Sequence, residues 1–175
     1  MKNDFVMPIL VLSLICLVIS GALAITNSVT EPIIVRDAAA REVAARLEMI
    51  PEADDFELIT VEGLPDSIRE VYKATNNVGY VITLLTSGYG GDMIIICGID
   101  SNGTMIHNRA LEQSETKGLG SKITETPFNS QFDDIERHQV DDIDAITGAT
   151  LSSTAYIEAI KDAFTAYSIL VNWEG

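Results

Sequence analysis

The sequence is poor in the side chains that build metal sites and disulfide bonds. Its 175 residues include two cysteines and two histidines. Cys16 lies within an apolar N-terminal run and Cys97 within a stretch that predicts a buried strand, so neither has a plausible disulfide partner. His107 and His138 stand far apart in the chain without cysteine or histidine neighbours. A transition-metal site therefore has no ligand set in this sequence.

Basic side chains are also scarce. The chain has 11 lysine and arginine residues against 26 aspartate and glutamate residues, and its formal net charge is -15. A surface of that charge repels nucleic acid backbones and anionic lipid headgroups. We therefore expect no nucleic acid partner and no membrane binding through a basic patch. The length allows one ordinary domain with an appendage, but not two substantial cores.

The N-terminal run from Phe5 to Ile25 contains no charged residue. Because a helix of roughly 20 residues crosses a hydrocarbon core of roughly 30 Å, residues 1–27 predict one transmembrane anchor. A cleaved secretory signal is the alternative, since Ala22-Leu23-Ala24 has the small residues of a cleavage site. Both interpretations export the rest of the chain. With Lys2 on the cytoplasmic side, the anchor predicts a single-pass protein of the cell membrane whose domain is extracytoplasmic.

Helical and strand patterns follow in an order typical of an α+β domain. Residues 28–50 are rich in alanine, arginine and glutamate, with apolar residues at helical spacing, and predict an amphipathic connecting helix. Residues 51–175 form the predicted domain, with strands at 56–61, 68–74, 78–85, 93–99 and 104–111. Asn76-Asn77 and Ser101-Asn102-Gly103 predict hairpin turns. Helical spacing returns from Leu151 to Val171, so we expect an antiparallel sheet flanked by helices.

The strongest chemical signal lies in the segment Asp144-Ala145-Ile146-Thr147-Gly148-Ala149-Thr150-Leu151-Ser152-Ser153. It is a hydroxyl-rich turn with one glycine at the start of a predicted helix. Free backbone N–H groups and the positive end of the helix dipole attract a phosphate at such a place. An ordinary N-cap, in which Thr147 or Thr150 bonds a free amide, accounts for the same residue types and stays open at this level.

This segment resembles the flavin-attachment motif of the covalent FMN-binding domain family. In that family the last threonine of Thr-Gly-Ala-Thr carries FMN through a phosphoester, and the matching residue is Thr150. The resemblance implies that Thr147, Gly148 and Ala149 also bind the cofactor, whose phosphate lies at the start of the helix. It further implies that Asp144 belongs to the pattern read by a separate flavin transferase of the ApbE type.

Two further strings resemble the same family. Glu115-Thr116-Lys117-Gly118-Leu119-Gly120 is similar to its Glu-Thr-Pro-Gly-Leu-Gly element, although lysine replaces proline, which frees φ and leaves the path of the loop open. Ser87-Gly88-Tyr89-Gly90-Gly91-Asp92 is similar to its glycine-rich turn, in which Tyr89 either packs locally or stacks near the flavin. Without the resemblance, these strings predict only a loop and a hairpin. With it, the residues expected against the flavin ring are Glu115, Thr116, Gly118 and Leu119.

The chain as a whole resembles the family of G subunits of Rnf complexes, which are ion-translocating and oxidise ferredoxin. It is more distantly similar to the C subunit of the sodium-translocating NADH:quinone reductase. The resemblance implies an electron-carrying subunit that has membrane subunits as partners and no substrate site of its own. Two alternatives stay open: a free-standing exported flavinylated carrier and a non-redox acidic interaction domain.

Overall fold

The computed structural model describes residues 3–174, which form two compact units that divide after Val43. Nine helices and strands lie within that range, besides three short 3-10 turns at Gly120–Thr124, Ser130–Phe132 and Arg137–Asp142. The helices are α1 (Asn3–Met49), α2 (Thr126–Asn129) and α3 (Thr150–Glu174). The strands are β1 (Phe56–Ile59), β2 (Ile68–Ala74), β3 (Gly79–Ser87), β4 (Asp92–Asp100), β5 (Thr104–Gln113) and β6 (Ile135–Glu136).

The first unit is α1 as far as Val43. Its stretch Ile9–Ser28 is long and apolar enough to cross a membrane, and no part of that stretch is buried in the protein. The helix runs without interruption through the predicted boundary between anchor and connecting helix at residues 27 and 28. The expected amphipathic pattern rests on side chains at 32–41, and the expected orientation rests on Lys2; both lie outside what the structure describes.

The second unit contains a six-stranded antiparallel sheet in which each strand pairs with the next one in the chain. Both expected hairpin turns are present: Asn77 has φ 59° between β2 and β3, and Gly103 has φ 88° between β4 and β5. Such positive φ values suit asparagine and glycine. The α+β class with an antiparallel sheet and flanking helices is thus confirmed. Strand β6 was not predicted, because its two residues are too few to form a pattern; they pair with Thr104 and Met105.

Helix α3 covers one face of the sheet. The inward side chains of β3 and β4 meet α3 in the larger core, which includes Ile82, Leu84, Met93, Ile95, Ile99, Tyr156, Ile160, Ala163 and Leu170. A smaller core on the other face joins the end of α1 to the sheet through Ala45, Met49 and Ile50. Because the sheet is covered on both faces here, β4 reads as a continuous apolar run and not as an alternating one.

Candidate functional site

The first turn of α3 is built by hydroxyl groups and one glycine. The backbone reverses at Gly148, whose φ is +83°, and the helix begins at Thr150. Buried Ser153 fixes this turn: its Oγ accepts a hydrogen bond from Ile146 N (3.1 Å) and donates one to Ala149 O (3.0 Å). The backbone bond from Ser153 N to Ala149 O opens the helical ladder. The N–H groups of Thr150 and the next two residues therefore have no intrahelical acceptor.

The loop after β5 closes on itself in spite of the lysine at position 117. Thr116 O accepts hydrogen bonds from Leu119 N (3.1 Å) and Ser121 N (3.2 Å). Ser121 Oγ in turn accepts one from Gly118 N at 2.9 Å, where φ is +77°. The turn is thus held by backbone hydrogen bonds, so proline is not needed to define the path that the sequence left open.

Glu115 connects the three strings that carry the family resemblance. Its side chain is buried, with 8% of the residue exposed. Oε2 accepts a hydrogen bond from Ser152 Oγ (2.7 Å) in α3, and Oε1 accepts one from Gly90 N (3.1 Å) in the turn between β3 and β4. Segments that are distant in the chain therefore meet at one carboxylate.

An open cavity of about 420 Å³ lies beside this carboxylate. Its wall comes from the β3–β4 turn, the loop after β5 and the first turn of α3. The residues that line it are Tyr89, Glu115, Thr116, Leu119, Gly120, Gly148, Ala149, Thr150, Leu151 and Ser152. The volume falls in the range of roughly 300–1,000 Å³ that is common for small-molecule and cofactor sites.

Most of the predicted cofactor residues meet at this cavity. Six of them line it: Glu115, Thr116, Leu119, Gly148, Ala149 and Thr150. Thr147, Gly118 and Asp144 lie outside the lining. Asp144 instead borders a second hollow of about 350 Å³. Its backbone is held there by the side-chain amide of Gln131, which accepts from Asp144 N (3.0 Å) and donates to Asp144 O (3.4 Å).

Several residues of the site have no role in the sequence interpretation. Ser152 is 1% exposed and binds Glu115, and Leu151 lines the cavity. The helical spacing held a signal for Ser152, because it lies four residues before the apolar Tyr156 and so on the inward face of α3. Gly90 gave no comparable signal, since only its contact across the fold reveals its role as a hydrogen-bond donor.

An aromatic cluster anchors α3 below its first turn. Tyr156 packs against Phe128 and Phe132, with ring centroids 5.5 Å and 5.4 Å away. Its hydroxyl donates a hydrogen bond to Asn108 Oδ1 on β5 at 2.7 Å. Burial raises the pKa of Tyr156 well above 10.0, so the hydroxyl stays protonated as a donor. The N-terminal part of α3 is therefore fixed to both the sheet and α2.

The cavity fits a flat cofactor with a phosphate at one end. Thr150 is exposed at the first position of a 25-residue helix, with unpaired N–H groups beside its hydroxyl. Another part of the wall is a loop with glycines on both sides of Leu119, and a methyl group on Gly148 would come within 3.9 Å of the Leu119 side chain. A hydroxyl, a helix N-terminus with free N–H groups and the apolar side chain of Leu119 thus lie around one opening.

Comparisons with known proteins show a domain family and relatives to which the chain is similar. The FMN-binding domain family matches residues 88–165 of the chain. The G subunit of an ion-translocating oxidoreductase complex from Methanosarcina acetivorans is 32% identical over 176 residues, covering 93% of this chain and 94% of that protein. The G subunit of the Na⁺-translocating ferredoxin:NAD⁺ oxidoreductase complex from Acetobacterium woodii is 30% identical over 188 residues, covering 92% and 90%. A proton-translocating counterpart from Clostridium ljungdahlii is 24% identical, covering 87% and 85%.

Proposed function

The chain belongs to the family of G subunits of ion-translocating (Rnf-type) oxidoreductase complexes, and from this membership we propose that it relays electrons through one FMN esterified by its phosphate to Thr150. The observation that carries the proposal is the position of Thr150. It is exposed, it begins α3, and it lines a cavity within the segment that matches the FMN-binding domain family.

The residues around Thr150 suit a phosphate. The N–H groups of the first turn and the positive end of the α3 dipole stabilise negative charge at this point. The residues at this end of the cofactor are Thr147, Gly148 and Ala149. They lie in a turn that Ser153 holds in shape through hydrogen bonds to Ile146 N and Ala149 O.

The loop after β5 provides the wall for the flavin ring. Thr116 and Leu119 line the cavity, and Gly118 gives the turn its positive φ. Glu115 supports this wall from inside, since both of its carboxylate oxygens accept hydrogen bonds from the protein. When bound, FMN supplies the exchange of electrons, and these residues hold and orient it.

The rim of the cavity is open to solvent. Tyr89, Leu119 and Leu151 are 73%, 49% and 66% exposed. A carrier that exchanges electrons with other proteins needs such an opening, whereas an enzyme that encloses a substrate does not. This opening therefore favours a relay without a substrate site of its own.

The partners of such a relay are the membrane subunits of the complex and, during maturation, a flavin transferase of the ApbE type that reads the segment containing Asp144. The stretch Ile9–Ser28 serves as a single transmembrane anchor, with the FMN domain on the extracytoplasmic side. Anchoring confines the domain to the membrane plane and raises its effective concentration beside its partners. Its relatives include both Na⁺-translocating and proton-translocating complexes, so family membership leaves the coupling ion open.

The attachment is tested by producing the full-length chain together with a flavin transferase. We expect protein that stays yellow and fluorescent after denaturation and acid precipitation. Its mass should increase by one FMN less one water, and the increase should map to the peptide that contains Thr147 and Thr150. The Thr150→Ala variant should lose the added mass completely.

The matched control is Thr154→Ala, which removes an exposed threonine one helical turn further along α3 and should load like the wild-type chain. Thr147→Ala tests which hydroxyl of the motif is used, and it should keep the covalent flavin. Wild-type protein that gains no mass beside an active transferase would refute the attachment.

A further inference from the structure

Glu115 touches both the turn between β3 and β4 and the first turn of α3 through the same carboxylate. Oε1 binds Gly90 N at 3.1 Å, and Oε2 binds Ser152 Oγ at 2.7 Å. Ser152 follows Thr150 by two positions, and Gly90 follows Tyr89. Each hydrogen bond therefore lies next to a residue of the cavity wall.

The surroundings of this carboxylate are shaped to its side chain. A methyl group on Gly88 would collide with Oε1 of Glu115, and one on Gly120 would collide with Oε2. A methyl group on Gly90 would collide with the backbone carbonyl of Ser114. Gly88 and Gly120 thus leave a space that one glutamate side chain fills, with donors at both oxygens.

We propose that Glu115 is a positioning residue that couples the β3–β4 turn to the first turn of α3, so that Tyr89 and the Thr150 hydroxyl are held as one rigid wall. The coupling runs from Gly90 N through the carboxylate to Ser152 Oγ. It does not require contact between Glu115 and the cofactor. Loss of the carboxylate frees both ends together, and the oxygen of Thr150 then leaves the geometry in which it is modified.

The conservative substitutions separate shape from charge. Glutamine keeps the length of the side chain: its carbonyl oxygen accepts from Gly90 N, and its amide donates to Ser152 Oγ. Aspartate keeps the charge but is one methylene shorter, so it cannot reach both donors at once. The coupling therefore predicts that Glu115→Gln retains function and that Glu115→Asp and Glu115→Ala lose it.

The first test needs no flavin. Backbone hydrogen exchange is measured by mass spectrometry on the full-length chain in detergent, before loading. Because a net hydrogen bond contributes roughly 0.5–1.5 kcal/mol, we expect the peptide over residues 86–93 to exchange roughly three- to tenfold faster in Glu115→Ala. The same peptide should also exchange faster in Ser152→Ala, although Ser152 lies in another segment. Glu112→Gln, at an exposed glutamate of β5 three residues before Glu115, is the matched control and should leave the exchange unchanged.

If the exchange rate of residues 86–93 is unchanged in Ser152→Ala, the coupling is overturned, because the carboxylate then supports the β3–β4 turn without the help of α3. An unchanged peptide in Glu115→Ala would overturn it as well.

The second test rests on the proposed attachment at Thr150 and measures the initial rate of covalent flavin loading. We expect a roughly tenfold slower rate in Glu115→Ala and Glu115→Asp. The lost hydrogen bonds lower the fraction of molecules that hold Thr150 in the required geometry by about a factor of ten. Glu115→Gln should load within about twofold of wild type. Ile99→Val, a substitution in the fully buried core of β4, lowers stability without touching the cavity and should load normally.

Failure of the proposed attachment at Thr150 and failure of the proposed coupling through Glu115 give different results. A wild-type chain that never loads refutes the attachment, while the exchange experiment still decides the coupling. A wild-type chain that loads while Glu115→Ala loads at the same rate overturns the positioning role. Loading that fails in Glu115→Gln as severely as in Glu115→Ala also overturns it, because charge and not reach would then be what matters.

Discussion

At the scale of single residues, the centre of β4 contains a thiol that water does not reach. Cys97 is fully buried, and its Sγ lies 3.7 Å from Ile82 O on the neighbouring strand. Burial raises the pKa of this thiol from 9.0 to about 12, since the apolar surroundings disfavour the thiolate. The side chain therefore behaves as a small apolar group in the core and not as a reactive site.

This burial predicts a dependence of stability on alkaline pH. The thiol ionises near pH 9.0 in the unfolded chain but only near pH 12 in the folded protein. Above pH 9.0 the unfolded state thus binds fewer protons, and the free energy of unfolding falls as the pH rises through this window. When the pH is raised from about 8 to about 10.5, the free energy of unfolding of Cys97→Ala should fall by roughly 1–2 kcal/mol less than that of wild type.

Urea unfolding of the two proteins in parallel at both pH values measures the difference. The buried hydroxyl of Tyr156, whose pKa is also raised, mainly by burial, contributes an alkaline decline in both proteins. Parallel curves for wild type and Cys97→Ala would contradict the assigned burial.

At the scale of elements, the end of α1 depends on one glycine of the sheet. A methyl group on Gly98 would collide with the carbonyl oxygen of Met49 and would come within 2.8 Å of the Ile50 side chain. Glu48 and Arg109 add a hydrogen-bonded ion pair of 2.7 Å near the same contact. This ion pair is half-exposed, and surface ion pairs contribute little to stability. Close packing at Gly98 is thus what brings the last turn of α1 onto β4.

We expect Gly98→Ala to destabilise the domain by about 1–3 kcal/mol, because backbone atoms must move to admit the methyl group. The change should appear as a lower midpoint of thermal or urea unfolding. Gly21→Ala adds the same group where no atom lies within 4 Å, and it should leave the midpoint unchanged. A Gly98→Ala chain as stable as wild type would show that the contact with α1 is dispensable.

At the scale of the whole molecule, the charged residues lie outside the apolar N-terminal stretch. The apolar stretch Ile9–Ser28 is unburied, while the formal net charge of -15 comes from the remainder. A domain of that charge repels anionic lipid headgroups. The arrangement suits a carrier that meets its partners from a fixed side of the membrane.

The proposed orientation is tested by labelling with a membrane-impermeant maleimide in intact spheroplasts. In a Cys16→Ser background, a cysteine at the exposed position of Glu62 should react at once, as the proposed extracytoplasmic side of the domain requires. A cysteine that replaces Lys2 should react only after the membrane is permeabilised. The reverse pattern of labelling would place the domain in the cytoplasm and remove the proposed topology.

Local patterns in the sequence were enough to predict most elements of the domain, although not β6. Strands β2 to β5 follow from apolar runs between turn formers, and the hairpins at Asn77 and Gly103 follow from residues that tolerate positive φ. The helix after Thr150 follows from its spacing of apolar residues. Each of these signals depends on a few neighbouring residues, so it can be recognised without knowledge of the fold.

What only the tertiary structure decided is how distant strings combine into a site. The sequence by itself determined that Thr150 opens a helix in a hydroxyl-rich turn. It also placed Glu115 in a separate glycine-containing loop, but it contained no signal that Glu115 turns inward to Ser152 and Gly90. Hydrogen bonds between segments far apart in the chain depend on strand order and on the packing of α3. No local propensity encodes these, so the shared carboxylate became visible only in the folded protein.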